Sequence, residues 1–277
     1  DGGTASVKNV LVQNKGQFNV TNGAVLDVTK DTSATDSAWE QPATGIMKGG
    51  EIVVRAWGPN NEWGEKENSD TINKLDKATS FTVNGKSTIK ADAIDVTGNS
   101  YQKHTARAKL MVNASSTVTA NTMNVGKYGY TYFKDSQLTV NGKLSVSGAA
   151  DGPTNPNPVG VEMHGSSATL NEVNVKDKGY IDLDQTNITV KQLTMDSSSA
   201  EIKGGSFKAG VITVNGTDYE ADKGDAQITA TNSKIELNNA TFIKYGHADI
   251  TNSQFTVNGT LKLTSDEAIP DKGINYL

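Results

Sequence analysis

Three carboxylates attract notice by their position. Glu162, Asp182 and Glu201 are each the middle residue of an apolar–polar–apolar triplet (VEM, IDL, AEI), at spacings of 20 and 19 residues. If such triplets are strands stacked coil upon coil, the three acids form a row on one outer face, roughly 5 Å apart. Paired carboxylates can perform acid–base chemistry on a glycosidic bond, or bind a divalent cation through their oxygens. Like charges so close also repel, so Lys176, Lys178, Lys191 or Lys203 is expected to neutralise the row. A solvated polar face is the plainest reading; a cation row is the second and catalysis the third.

A second group is aromatic. Trp39, Trp57 and Trp63 are the only tryptophans, and all lie between residues 31 and 78. Flat rings stack on sugar faces, and Asn60, Asn61, Glu62 and Glu65 beside them could bind hydroxyls, which defines a candidate ligand-binding site. The alternative is that the rings pack a cap against the chain beneath, since a solenoid end exposes its core.

Other chemistry is sparse. His104, His164 and His247 are isolated, with no HxxxH or HExxH spacing. No serine occupies a Gly-x-Ser-x-Gly elbow, and there is no phosphate-binding loop or dinucleotide fingerprint. With no cysteine in the sequence, thiolate chemistry and disulfides are excluded. No cofactor or metal is expected, and the chain is read as non-catalytic. With 26 Lys+Arg against 31 Asp+Glu and a net charge of −5, a nucleic-acid partner is not expected either. No apolar run reaches the ~18–20 residues of a membrane helix. The opening DGG is not a signal peptide and suggests an excised segment of a secreted protein.

What must position these residues is a repeat. Hydrophobic residues make up 35 % of the chain, below the ~45–50 % of ordinary globular proteins, so any core must be thin and regular. Short alternating triplets mark half-buried strands. Thr169 maps onto Thr189, Asn174 onto Thr194 and Asp182 onto Glu201. Thr229, Glu236 and Ile243 map onto Asp249, Thr256 and Lys262; Val112, Val118 and Val125 map onto Phe133, Val140 and Val146. The unit is three short strands in about 20 residues, a period that signals a solenoid. The expected fold is therefore an all-β parallel β-helix of about ten coils. The repeated TVNG (82–85, 139–142, 213–216, 256–259) supplies turn residues that tolerate positive φ. Because Asn-Gly is also a hairpin signal, an antiparallel sandwich is the rival. All six prolines fall outside the triplets, as a hydrogen-bonded ladder requires.

Four stretches break the repeat: 31–78, 98–110, 148–160 and 216–226. Residues 1–78 read as N-terminal coils with a tryptophan-bearing insertion or cap, and 79–277 as the solenoid carrying the other three loops, within one continuous domain. The second loop is locally basic, with Lys103, His104, Arg107 and Lys109; the third is rich in proline; the fourth is acidic.

The repeated TVNG, the ITV, LTM and AEI triplets of 79–264, the start VLVQNKGQFNVTNGAVLDV and the lack of cysteine together resemble the passenger of a bacterial autotransporter. The resemblance implies a right-handed β-helix and secretion to the bacterial cell surface at the outer membrane. It also implies adhesion to a host glycan or matrix protein, or association with another copy of the chain. The family's translocator barrel has no counterpart in this sequence, so the chain is not expected to span a membrane. The alternative is a β-helix polysaccharide lyase or hydrolase using the outward acids. The local motifs of a polygalacturonase (Asn-Thr-Asp, Asp-Asp, Gly-His-Gly, Arg-Ile-Lys) are absent, and Met163-His164-Gly165 is only a partial echo.

Overall fold

A computed structural model describes residues 2–13, 16–29, 49–56, 79–101, 104–148, 159–216 and 226–264, with 99–101 and 104–106 described in backbone only. The described chain is all-β, with 22 strands. Twenty of them join one extended sheet, and every pairing within it is parallel. The antiparallel rival is thereby excluded. The remaining two strands, β8 (Asn99–Tyr101) and β9 (His104–Ala106), form a small antiparallel pair.

The pairing sorts into three ladders that the chain visits in fixed order, giving a solenoid-like architecture. The first ladder runs through β4 (Val25–Val28), β7 (Thr88–Thr97), β11 (Thr117–Gly126) and onward to β21 (Gln254–Val257). The second runs from β2 (Asn9–Gln13) through β5 (Glu51–Arg55) and the later halves of the long strands to β22 (Leu261–Thr264). The third contains β6 (Thr79–Val83), β10 (Ala108–Val112), β12 (Gly129–Lys134), β14 (Gly160–His164), the starts of β16 (Tyr180–Asp196) and β17 (Ser199–Gly216), then β18 (Ala226–Thr231) and β20 (Gly246–Thr251).

Alternation explains why these segments are strands. In β15 (Ser167–Lys176), Ala168, Leu170, Val173 and Val175 are buried while the residues between them are not. Inward side chains then stack on their counterparts one coil away, as in the column Val112, Phe133, Met163, Leu183 and Ile202, all at most 2 % exposed. Each such burial contributes about 1.5–3 kcal/mol. A void of about 20 Å³ inside the stack is lined by aliphatic residues, Met163 and Phe207.

The 20-residue register expected from the sequence is present for Thr169–Thr189, Asn174–Thr194, Asp182–Glu201, Thr229–Asp249 and Glu236–Thr256. Two expected pairs shift. Val118 pairs with Leu138, whereas Val140 pairs with Ala120; Ile243 pairs with Thr264, whereas Lys262 pairs with Thr241. Each expected pair is off by two residues; separately, one extra residue is taken in at the first-to-second corner of both coils, where Asn141-Gly142 and Asn258-Gly259 stand. A Cβ on Gly142 would lie 2.6 Å from the Asn121 carbonyl oxygen, and one on Gly259 would lie 2.6 Å from that of Asn238. Glycine is needed there for close approach. Among the four TVNG glycines only Gly85 takes a positive φ, 67°. The motif also serves three different corners, so it is not a single repeated turn.

The third-to-first corner has its own grammar. Asp135, Gly165, Gln185, Asn232 and Asn252 take positive φ, and each is followed by Ser136, Ser166, Thr186, Ser233 or Ser253. These hydroxyls form a ladder. The Ser136 amide donates to Ser166 Oγ at 3.1 Å, while Ser166 Oγ donates to the His164 carbonyl at 2.9 Å. Hydroxyls thus satisfy buried backbone groups where the chain turns.

Strand β5 sits inside the 31–78 stretch, paired with β2 on one side and β7 on the other. That stretch is two intervals flanking an integral ladder strand, with Ile52 and Val54 in the core.

Candidate functional site

The third ladder carries the acid row. Glu162, Asp182 and Glu201 are consecutive register partners, and they point outward because Val161, Met163, Ile181, Leu183, Ala200 and Ile202 on either side are buried. Tyr132 precedes Glu162 in this column. The neighbouring column, at the entry of each third-ladder strand, runs Lys109, Tyr130, Gly160, Tyr180, Ser199.

The three acids are in different states of engagement. Glu162 is clamped: the Tyr130 hydroxyl donates to Oε2 at 2.7 Å and the Tyr180 hydroxyl to Oε1 at 2.5 Å. Burial, and then the bond to Glu162, push both phenols far above the ordinary tyrosine range, so they remain donors. Arg107 lies in the field of both tyrosines and Glu162. Burial holds it below the usual arginine value, and its Nε is buried without a hydrogen-bond partner. Glu201 is paired with Lys203 at 2.8 Å, a bond that also raises the lysine pKa. Asp182, between them, has a buried Oδ1 with no hydrogen-bond partner. Burial raises its pKa; Glu201 and Glu162 add to that, while Lys203 and His164 oppose it. His164 lies 3.4 Å from Asp184 and 3.9 Å from Glu162, with its ring 5.2 Å from that of Tyr132.

Of the lysines expected to neutralise the row, Lys203 does so, whereas Lys176 pairs with Asp177 at 3.5 Å. Among the described residues, no group of three or more His, Asp or Glu is arranged to hold a metal ion. No helix of the described chain is long and apolar enough to cross a membrane. His247 is 9 % exposed, its Nδ1 3.2 Å from the Tyr245 carbonyl oxygen. Trp39, Trp57, Trp63, Asn60, Asn61 and Glu62 lie outside the described residues.

Four of the five long intervals share one topological address; the fifth, 29–50, joins the first ladder to the second. The intervals 56–78, 98–107, 148–159 and 217–225 all join the second ladder to the third. Each is followed by a strand of the third ladder, the ladder that carries Lys109, Tyr130, Gly160 and Tyr180. The basic stretch 98–110 ends in ladder strand β10, and Lys109 is only 6 % exposed.

Sequence reasoning missed Tyr130, Tyr180, Gly160 and the partial burial of Arg107 beside them. A signal was present: both tyrosines follow a glycine and open an alternating triplet run, GYTYF and GYIDL, 50 residues apart. The clamp itself depends on those coils lying two ladder steps apart, with the intervening strand carrying glycine at that position.

Comparison of the chain with protein-family models, with curated proteins and with solved structures finds no match in any of the three. The class defined by the geometry is a parallel β solenoid-like protein in which four of the five long intervals join the second ladder to the third.

Proposed function

We propose that the chain is a right-handed parallel β-helix of three strands per coil, displayed at a bacterial surface as a non-catalytic adhesin of the autotransporter-passenger kind. Its partner is a host glycan, a matrix protein or another copy of the chain. The observation that carries this reading is the common corner. Four of the five longest interruptions join the same two ladders, at coils separated by ~4.8 Å steps, while the fifth, 29–50, joins the first ladder to the second. Rigid scaffolds that bind collect their variable loops in this way, and several weak contacts along one edge add through multivalency. The acid row supports binding over chemistry, since two of its carboxylates are already held by phenols or a lysine.

The test is a glycan and matrix-protein array with the full chain beside a version in which 57–78 is replaced by a short linker. Residues 51–55 must stay, because removing them would delete a ladder strand. Binding that is lost with the replacement, and with Trp57→Ala or Trp63→Ala, while circular dichroism retains β-structure, is the expected result. Release of new reducing ends or unsaturated products from acidic polysaccharides by the intact chain would overturn it.

A further inference from the structure

Five Asn-Gly dipeptides occur in the sequence, at 22–23, 84–85, 141–142, 215–216 and 258–259, and the fold treats them differently. Asn-Gly is prone to an intramolecular reaction because the glycine nitrogen is unhindered and can reach the side-chain amide. The reaction needs a glycine N–H not committed to a backbone acceptor and an asparagine side chain free to approach it. The Gly23 N–H donates to the Gly85 carbonyl at 2.7 Å, and that of Gly259 donates to the Asn238 carbonyl at 2.7 Å. Asn141 donates its side-chain amide to Asn121 Oδ1 at 3.4 Å, and Asn215 donates its own to Asp196 Oδ1 at 3.3 Å. Gly216 is also buried in the ladder.

Asn84-Gly85 is different. The Gly85 N–H points at the Asn84 side chain itself, 2.9 Å from Oδ1, which brings nitrogen and Cγ close to the near-attack range of about 3–3.5 Å. Asn84 is exposed, and Gly85 has a φ of 67°, which glycine takes without strain. We infer that Asn84 is a site of spontaneous modification in the folded protein, converting to aspartate and isoaspartate through a succinimide. The Gly85 nitrogen loses its proton and bonds to Asn84 Cγ. The Cγ–Nδ2 bond breaks, and ammonia leaves carrying that proton. Water then opens the ring at either carbonyl. No other reactant is consumed.

The site has a consequence for the fold. The 84–86 corner is hydrogen-bonded to both neighbouring coils: Asn84 N donates to the Val20 carbonyl at 2.9 Å, the Gly85 carbonyl accepts from Gly23, and Lys86 N donates to the Ala114 carbonyl at 2.9 Å. Isoaspartate adds a carbon to the main chain at that corner and one negative charge. It displaces the acceptor on which Gly23 depends and loosens the N-terminal coil from the rest.

The experiment is incubation of the intact folded chain in mildly alkaline buffer, with peptide mapping by mass and enzymatic isoaspartate labelling over time. A denatured sample run in parallel gives the intrinsic rate of each of the five sites. Asn84 is expected to retain its denatured rate while the other four slow, making it roughly tenfold or more faster than they are. Asn84→Gln should abolish the first charge change without altering circular dichroism. Conversion of Asn22, Asn141, Asn215 or Asn258 as fast as Asn84, or an Asn84 as protected as they are, would overturn the inference.

Discussion

Tyr130 is bonded to Glu162 across a ladder step, hydroxyl to Oε2 at 2.7 Å, while Tyr180 closes on Oε1 of the same carboxylate from the far side. The two tyrosines approach from either side of Gly160. A carboxylate with both oxygens occupied by phenols is fixed in place, and the clamp closes over the strand that follows the 148–159 interval.

Replacing Glu162 by Gln tests that role. The amide offers one acceptor where the carboxylate offered two, and its NH₂ turns toward a phenol that must itself act as acceptor. Charge-assisted bonds are among the stronger ones, so the expected loss is about 1–3 kcal/mol. Chemical denaturation of Glu162→Gln, Tyr180→Phe and the double variant measures it. Strong non-additivity is expected, because the singles break the same contact.

Asp182 should respond in the opposite sense. Its folded pKa is raised, chiefly by burial, so the folded state binds more protons than the unfolded state around and above the ordinary aspartate range. The stability contribution of the group therefore falls as pH rises through its folded pKa. Asp182→Asn, neutral at every pH, is expected to be more stable than the parent at neutral pH. The advantage should shrink as pH drops through the folded pKa and be gone below the ordinary aspartate value of 3.8. Thermal melts of both proteins across that range check the sign.

How much of this was legible depends on the distance over which each feature is encoded. The triplets and their 20-residue step are local patterns repeated many times, so the register of Thr169 with Thr189 could be read directly from the sequence. The true partners of Val140 and Lys262 could not, because a period read as 19 to 22 residues lets positions two apart in an alternating strand look equivalent. The stacking of Glu162, Asp182 and Glu201 was legible from spacing alone. The clamp on Glu162 was not, since it depends on rings from two other coils meeting over a glycine. Strand β5 was recognisable as EIVVRAW, but only its partners show it to be structural. The serine corner left a readable trace in the pairs Asp135-Ser136, Gly165-Ser166, Asn232-Ser233 and Asn252-Ser253, which a search for apolar triplets passes over.

That corner gives a sharp substitution test. Ser166→Ala removes the acceptor of the buried Ser136 amide, bonded at 3.1 Å, and the expected cost is about 1–3 kcal/mol for an unsatisfied buried donor. Ser166→Thr should restore most of it, because Thr186 already fills the equivalent place one coil on, with Oγ1 2.9 Å from the Asp184 carbonyl. Because a solenoid is stabilised by nearest-neighbour contacts, hydrogen exchange resolved to individual coils should place the Ala loss at the coils carrying 136 and 166.

Gly160→Ala separates the ring from the backbone beneath it. A Cβ at this position would lie 2.3 Å from Cδ1 and Cε1 of Tyr180, and 2.5 Å from the Tyr180 carbonyl oxygen. The ring could swing away, at the cost of its bond to Glu162; the carbonyl belongs to the ladder and cannot move alone. The expected loss is about 1–3 kcal/mol or more for overpacking, whereas Gly3→Ala, with nothing within 4 Å of its Cβ, should be close to neutral. Adding Tyr180→Ala to Gly160→Ala should recover only part of the loss, since the carbonyl contact persists. Full recovery in denaturant titrations would mean that the strand entry can shift freely, and that the clamp, rather than the ladder, sets the position of Gly160.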